Sequence, residues 1–263
     1  MSNQTPAPLS PTQNDSIVVA TPIWRERLND QEAAFLGYTD STNASNTRWL
    51  LAPKSLDVSF YRRLFPDWRI HHFPDAAFAS VTAYSMWLTA PDFYRAIQDF
   101  EYVTICQLDA VLLKDVSHIN MSGIDYIGAP WDPPIRILVL GTRIYVASKH
   151  DDGKGLWLTR HLGRPLGVGN GGLSIRRVEA HIRATEWLST HVPARYRKTT
   201  LEDVLLCAFA PRMSLRIAPQ EIAGRIFLET GAATLTKVPD VYGFHGLWRW
   251  NPELAESLLA RET

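Results

Sequence analysis

The sequence predicts an α/β fold, with a mostly parallel central sheet covered by helices on both faces. Three observations carry this reading. Short apolar runs of strand length alternate with stretches of helical spacing along the first hundred residues, the order that threads parallel strands through helical crossovers. Three of the runs are closed by proline, at Pro22, Pro53 and Pro74, where a missing N–H ends the ladder. The chain has 263 residues and is 46% hydrophobic, enough for one large core or two small ones.

Ile17-Val18-Val19-Ala20 is a continuous apolar run, typical of a strand buried on both faces. It ends at Thr21-Pro22. A helix is expected over residues 29–38 with Ala33, Ala34 and Phe35 facing inward, followed by a second strand at Trp49-Leu50-Leu51-Ala52. Residues 56–65 have helical spacing through Leu56, Phe60 and Leu64, and Asp57 falls in the first turn, where negative charge suits the helix dipole. Arg69-Ile70-His71-His72-Phe73 is the third strand. Its adjacent histidines point to opposite faces and read as structural. Helices are expected over residues 83–88 and 92–100.

Next comes Tyr102 to Leu113, a β-branched apolar run holding one carboxylate, Asp109. A lone acid in such a run costs several kcal/mol unless it is paired or metal-bound. Asp109 is therefore placed where a buried strand opens into a cleft, the place where open α/β sheets bind ligands. There it could hold a divalent cation and, through it, a phosphate. The second half is less regular. Asp125 to Trp131 is a strand entering a turn, residues 136–145 are an extended run, and residues 150–155 form a charged loop. No repeat or linker divides residues 16–263, so one domain is expected behind a disordered tail at residues 1–15.

Composition excludes several functions. Lys plus Arg and Asp plus Glu number 27 each, so bulk charge favours neither nucleic acid nor an anionic membrane. Cys106 and Cys207 lie in apolar runs and suit a reducing compartment. No segment is apolar for the roughly 18 residues that a membrane helix needs. The Ser-, Thr-, Pro- and Gln-rich N-terminus lacks the pattern of a secretory signal. A cytoplasmic location is expected.

Three further motifs could carry chemistry. Gly167-Val168-Gly169-Asn170-Gly171-Gly172 packs four glycines into six residues. It has no Lys followed by Ser or Thr, which excludes a P-loop, and Leu173-Ser174-Ile175 continues as extended chain rather than helix. It is either a tight turn or a loop against which a hydroxyl-rich substrate lies. Thr199 or Thr200 could cap a helix whose first turn holds Glu202 and Asp203; these acids are dipole partners or carboxylates aimed into a cleft, one of them a general base. Last, His245 stands between Gly243 and Gly246, glycines that free the backbone rather than pack it.

An acid at a strand end, a Gly-Asn-Gly-Gly loop, a Glu-Asp helix start and a C-terminal histidine, in that order, resemble the GT-A glycosyltransferases. The chain is most similar to the glycosyltransferase-like family known as domain of unknown function 5672. The resemblance rests on Gln107-Leu108-Asp109-Ala110, on Asp125 to Trp131, on Gly169 to Arg176, on Glu202-Asp203-Val204 and on Gly243-Phe244-His245-Gly246. It implies a Rossmann-like GT-A domain that moves a sugar from a nucleotide-diphospho-sugar, UDP-sugar favoured, to a saccharide or glycolipid hydroxyl. Mn²⁺ or Mg²⁺ would be held by Asp109, the one acid left of the family's Asp-X-Asp motif, and by His245. Asp203, paired with Glu202, would be the base of an inverting reaction.

The same resemblance puts Thr21, Pro22, Tyr84, Ser85, Gln107 and Leu108 beside the nucleotide, and Trp131, Asn170, Gly171 and Gly172 beside sugar or acceptor. Trp157 or Trp248 could offer further flat faces to a sugar, whereas Trp49 and Trp87 read as core. Residues 149–154 form a charged run, either solvated or a lid over the acceptor site. Peripheral contact with the inner membrane face is compatible with this scheme. Two alternatives stand beside it. Nucleotidyl transfer would want a basic loop near the first strand, where only Arg25 and Arg27 lie. A non-catalytic nucleotide-sugar-binding protein would fit the shortened Asp-X-Asp motif.

Overall fold

The computed structural model describes residues 16–147 and 157–260. The expected tail and the charged stretch at residues 149–154 lie outside the described residues. The strands are β1 (Ile17–Pro22), β2 (Thr47–Pro53), β3 (Arg69–Phe73), β4 (Tyr102–Cys106), β5 (Ala110–Leu112), β6 (Tyr126–Gly128), β7 (Pro130–Leu140), β8 (Arg143–Ala147), β9 (Arg164–Val168), β10 (Leu173–Arg177), β11 (Phe227–Leu228) and β12 (Gly243–His245). The helices are α1 (Asp30–Thr42), α2 (Ser59–Leu64), α3 (Val81–Leu88), α4 (Pro91–Arg95), α5 (Trp157–Leu162), α6 (Val178–His191), α7 (Ala194–Arg197), α8 (Glu202–Met213), α9 (Gln220–Ile226), α10 (Leu247–Trp250) and α11 (Pro252–Leu259).

The main sheet has six strands in the order β3-β2-β1-β4-β10-β6. The first four run parallel, and β10 is antiparallel to both β4 and β6. Alternation along β1 shows why the run is apolar throughout. Ile17 and Val19 join one core with Leu50 and Ala52, while Val18 and Ala20 join another with Leu51, Val103 and Ile105. A strand buried on both faces has no polar side to show. Helices α1, α2, α8 and α9 cover the first face through Leu36, Tyr61, Val204 and Ala223. Helices α3, α4 and α6 cover the second through Leu88, Phe93 and Val178. The mostly parallel α/β sheet with helices on both faces is the fold expected from the sequence. Both cysteines are buried and free.

Several boundaries moved for identifiable reasons. Helix α1 starts behind a capping box, in which Asn29 accepts from the Glu32 amide (2.8 Å) and Glu32 accepts from the Asn29 amide (3.1 Å). It runs on to Thr42 and buries Phe35, Leu36 and Thr39, with Ala33 and Ala34 only half-buried. Asp57 lies outside α2 rather than in its first turn, accepting from the Ser59 amide at 2.9 Å. Leu64 is exposed, and Tyr61 and Phe65 are the buried anchors instead. Helix α4 stops at Arg95 because the following residues bond i to i+3, as in Ile97 to Tyr94 and Phe100 to Ile97, which tightens the chain out of the α form. The extended run at residues 136–145 is a hairpin of β7 and β8. In edge strand β3, His71 stacks on Trp49 and His72 Nδ1 meets the Pro53 carbonyl, both structural as expected.

The apolar run around Asp109 is two strands in two sheets. Strand β4 ends at Cys106, a turn closes with the Ala110 amide on the Gln107 carbonyl (2.9 Å), and β5 joins a small sheet of order β11-β12-β5. A third sheet, β8-β7-β9, completes the architecture. Asp125, just before β6, is buried and accepts from the Arg216 guanidinium at 2.7 and 2.8 Å.

Arg176 of β10 has no exposed surface. Its guanidinium donates to Tyr94 Oη (2.9 Å), Ser174 Oγ (3.0 Å), the Gly171 carbonyl (3.1 Å) and Glu202 Oε1 (3.0 Å). It thereby ties the main sheet to the start of α8. Breaking such a buried pair leaves an uncompensated charge and costs about 3–5 kcal/mol. Arg176→Met is therefore expected to lose about that much in urea unfolding, and adding Glu202→Gln should recover part of it by neutralising the stranded carboxylate.

Candidate functional site

The small sheet builds one end of the site by register alone. Strand β12 pairs His245 with Ala110 of β5, and β11 pairs Leu228 with Phe244, so Glu229 follows beside His245. Asp109, His245 and Glu229 thus emerge from three neighbouring strands at one end. His245 Nε2 lies 3.4 Å from Asp109 Oδ1, and His245 Nδ1 lies 3.2 Å from Glu229 Oε1. His245 Nε2 and Glu229 Oε2 are buried without a hydrogen bond. Burial alone would lower the His245 pKa, but the Asp109 and Glu229 carboxylates on either side of the ring push it up to about 9. Burial opposes ionisation of Asp109, yet His245 outweighs it and holds the carboxyl below its ordinary range.

The glycine-rich loop presses against this end so closely that side chains are excluded. A β carbon on Gly172 would overlap His245 Nε2, one on Gly171 would overlap the Glu202 carboxylate, and one on Gly169 would overlap the Trp131 ring. Asn170 takes the left-handed conformation (φ 56°); its Oδ1 accepts from the Gly172 amide (3.0 Å) and its Nδ2 lies 2.9 Å from His245 Nδ1. The loop turns tightly at Gly171 and Gly172, and Asn170, Gly171 and Gly172 line the cleft.

Helix α8 supplies the opposite wall. Neither Thr199 nor Thr200 caps it: Leu201 occupies the cap position and contributes no side-chain bond. The free amides are met otherwise. Ser85 Oγ accepts from the Glu202 amide (2.7 Å) and Asp203 Oδ1 from the Val204 amide (2.7 Å), so residue 201 is released from capping and half-exposes an apolar side chain at the cleft. Asp203 Oδ2 also accepts from the Gly171 amide at 3.2 Å. Burial, and then the Glu202 charge, raise the Asp203 pKa to about 7. Glu202 itself faces inward to Arg176.

These groups share a cleft of about 360 Å³ lined by Gln107, Trp131, Asn170, Asp203, Glu229 and His245 among others. A second cavity of about 420 Å³, walled by Pro22, Trp24, Phe78 and Tyr84, shares Val81, Tyr84 and Gln107 with it. Of the residues expected near a nucleotide, Pro22, Tyr84 and Gln107 line this second cavity. Thr21 is buried within β1, Ser85 is engaged at the start of α8, and Leu108 packs in the core, so its side chain does not face the cleft. Asp109 stands at the edge, with its side chain 60% exposed. Trp157 packs at a tilt against His161 in α5 and lines neither cavity, and Trp248 stacks on Phe35 in a core cluster, so neither offers a sugar-facing surface here. A separate cavity of about 490 Å³ between β9 and α8 includes none of Asp109, Asp203, Glu229 and His245.

Sequence reasoning missed Trp24, Phe78, Val81 and Glu229. An aromatic two residues beyond Pro22 was a usable signal for Trp24, but only strand pairing brings Glu229 to His245. Among the described residues no three His, Cys, Asp or Glu side chains are grouped to hold a metal ion. Asp109 and His245 nevertheless offer an oxygen and an unbonded nitrogen side by side. Two protein donors suit a hard ion that keeps waters and substrate phosphates as its other ligands. No helix among the described residues is long and apolar enough to cross a membrane.

Comparison with solved structures places the fold among GT-A glycosyltransferases. A crystal structure of galactosyltransferase LgtC with donor and acceptor sugar analogues aligns at TM-score 0.57 and 10% identity, over 93% of this chain and 95% of that one. The Mn/GDP form of core-mannan synthase A from Aspergillus fumigatus aligns at TM-score 0.51 and 9% identity, over 79% of this chain and 77% of that one. No curated protein matches in sequence. The family model described as "Protein of unknown function (DUF5672)" matches residues 67–245, a span holding Asp109, the glycine-rich loop, Asp203 and His245, and the chain belongs to that family.

Proposed function

We propose that this protein transfers a glycosyl group from a nucleotide-diphospho-sugar to an acceptor hydroxyl, with inversion at the anomeric carbon. One observation carries the reading. A carboxylate with a pKa of about 7, Asp203, lines the same cleft as His245, whose Nε2 lies 3.4 Å from Asp109, and that cleft adjoins an apolar cavity at the end of β1. In this reading residues 16–263 act as one domain, whose first half binds the donor and whose second half serves a saccharide or glycolipid acceptor.

Base and ribose lie in the cavity of Pro22, Trp24, Phe78 and Tyr84, with UDP favoured. Gln107, shared by both cavities, sits at the passage from nucleotide to sugar. Held by Asp109 and His245, Mn²⁺ or Mg²⁺ would neutralise the charge that gathers on the departing diphosphate. Trp131 and the backbone of Gly171 and Gly172 shape the bed for the sugar. Asp203 takes the proton of the acceptor hydroxyl as its oxygen bonds to the anomeric carbon, while the C–O bond to the diphosphate breaks and the nucleoside diphosphate keeps the electron pair. Glu202 acts through Asp203, raising its proton affinity, and stays bound to Arg176.

Incubation with UDP- and GDP-sugars tests this by release of the nucleoside diphosphate. Asp203→Asn should slow release by about 10²–10⁴-fold with donor affinity kept; a wild type that binds donor and releases nothing would be a binding protein. The pH dependence follows from the raised pKa. A base must be ionised, so kcat/KM should fall as pH drops below about 7, and that limb should vanish in Asp203→Asn. The stability sign is opposite. A carboxyl whose folded pKa lies above its unfolded value favours the fold fully at low pH, and this contribution is lost as pH rises through about 7. Removing the charge should therefore raise Tm at neutral pH, by about 2–4 °C for each kcal/mol relieved.

A further inference from the structure

Glu229 belongs to no motif of the chain, yet it touches the one histidine of the cleft. It follows β11, whose parallel pairing with β12 carries it to His245, and its side chain is only 14% exposed. One oxygen lies 3.2 Å from His245 Nδ1; the other is buried without a hydrogen bond. A carboxylate so placed needs a reason, since burying a charge with one oxygen unpaired is costly.

His245 Nδ1 has two neighbours with opposite demands. Glu229 Oε1 requires an N–H there, whereas the Asn170 amide nitrogen, at 2.9 Å, requires a lone pair. A charge-assisted hydrogen bond outweighs a neutral one. Nδ1 therefore carries hydrogen towards Glu229, and the proton that a divalent ion would displace from the imidazolium is the one on Nε2, which faces Asp109 Oδ1. Nε2 and Asp109 Oδ1 lie 3.4 Å apart, longer than a well-formed hydrogen bond, so an ion that takes the place of the Nε2 proton breaks none. Gly172 packs against this edge of the ring, where a β carbon would overlap Nε2.

We infer that Glu229 is the positioning residue of the cation site: it fixes the Nδ1–H tautomer of His245, so that Nε2 and Asp109 together present their lone pairs to a divalent ion. The inference rests on the proposed role of Asp109 and His245. Without the charge of Glu229, Asn170 claims Nδ1, hydrogen moves to Nε2, and the face towards Asp109 closes to a cation. Carboxylate partners of metal-bound histidines act in this way, and losing one costs about 10- to 100-fold in metal affinity.

Calorimetric titration of Mn²⁺ into protein saturated with whichever of UDP and GDP it binds supplies the test, on wild type, Glu229→Gln and Asp109→Ala. The expected result is a loss of about 10- to 100-fold in Mn²⁺ affinity for Glu229→Gln, with Tm unchanged. With Mg²⁺ in place of Mn²⁺, the His245 ¹⁵N shifts should show hydrogen on Nδ1 in wild type and on Nε2 in the variant, a change that a merely structural role would not produce. Unchanged affinity in Glu229→Gln beside a loss in Asp109→Ala overturns the role of Glu229 and leaves the cation site standing. No Mn²⁺ binding by wild type overturns both.

Discussion

The close approach of backbone at Gly169, Asn170, Gly171 and Gly172 is the constraint on which the rest depends. Here the main sheet, the small sheet and the start of α8 meet, and the meeting is possible only where side chains are missing. Gly172 admits the His245 imidazole, Gly171 admits the Glu202 carboxylate, and Gly169 admits the Trp131 ring. The same four residues also supply polar contacts. The Gly171 amide reaches Asp203, and Asn170 reaches His245. One loop thus spaces the two chemically different ends of the cleft, and Arg176 beneath it locks the arrangement to α8.

The site sets its two leading carboxylates in opposite states. Asp203 is deep, beside Glu202, and holds its proton up to about 7. Asp109 lies beside a histidine that favours the positive form, and stays ionised. Environments that push two acids apart in this way assign them different work. A poised acid suits proton transfer, and a permanently charged one suits a cation. Glu202 bears on both the Asp203 carboxyl and the fold, since its charge is half of the buried pair with Arg176 and also helps raise the Asp203 pKa.

Much of this was legible in the chain. The run from Ile17 to Ala20 named a strand buried on both faces, and proline marked where strands ended. Asp109 stood out as an acid in an apolar run and His245 as a histidine among glycines, whereas Asp203 shared its helix start with the ordinary role of a dipole partner. What stayed hidden depends on pairing between distant segments. The switch of sheet between Cys106 and Ala110 is marked in the chain only by Gln107 and Asp109, which a single strand opening into a cleft would also show, and it turns an expected strand end into a turn. Thr200 met every rule for a cap, but Ser85, more than a hundred residues earlier, took the task and left Leu201 facing the cleft. Leu108 sits between two residues of the site and points the other way, into the core. Glu229 reaches His245 through the register of a two-residue strand, which no local pattern encodes.

The account stands or falls on whether the Asp109–His245 end of the cleft binds a diphosphate through a cation. Calorimetric titration of the wild type with UDP and with GDP, each with and without Mn²⁺, and repeated on Asp109→Ala, measures this directly. The account predicts that one nucleotide binds, that Mn²⁺ strengthens its binding, and that Asp109→Ala abolishes the strengthening. Binding that ignores both Mn²⁺ and Asp109, or no binding of either nucleotide, would contradict it.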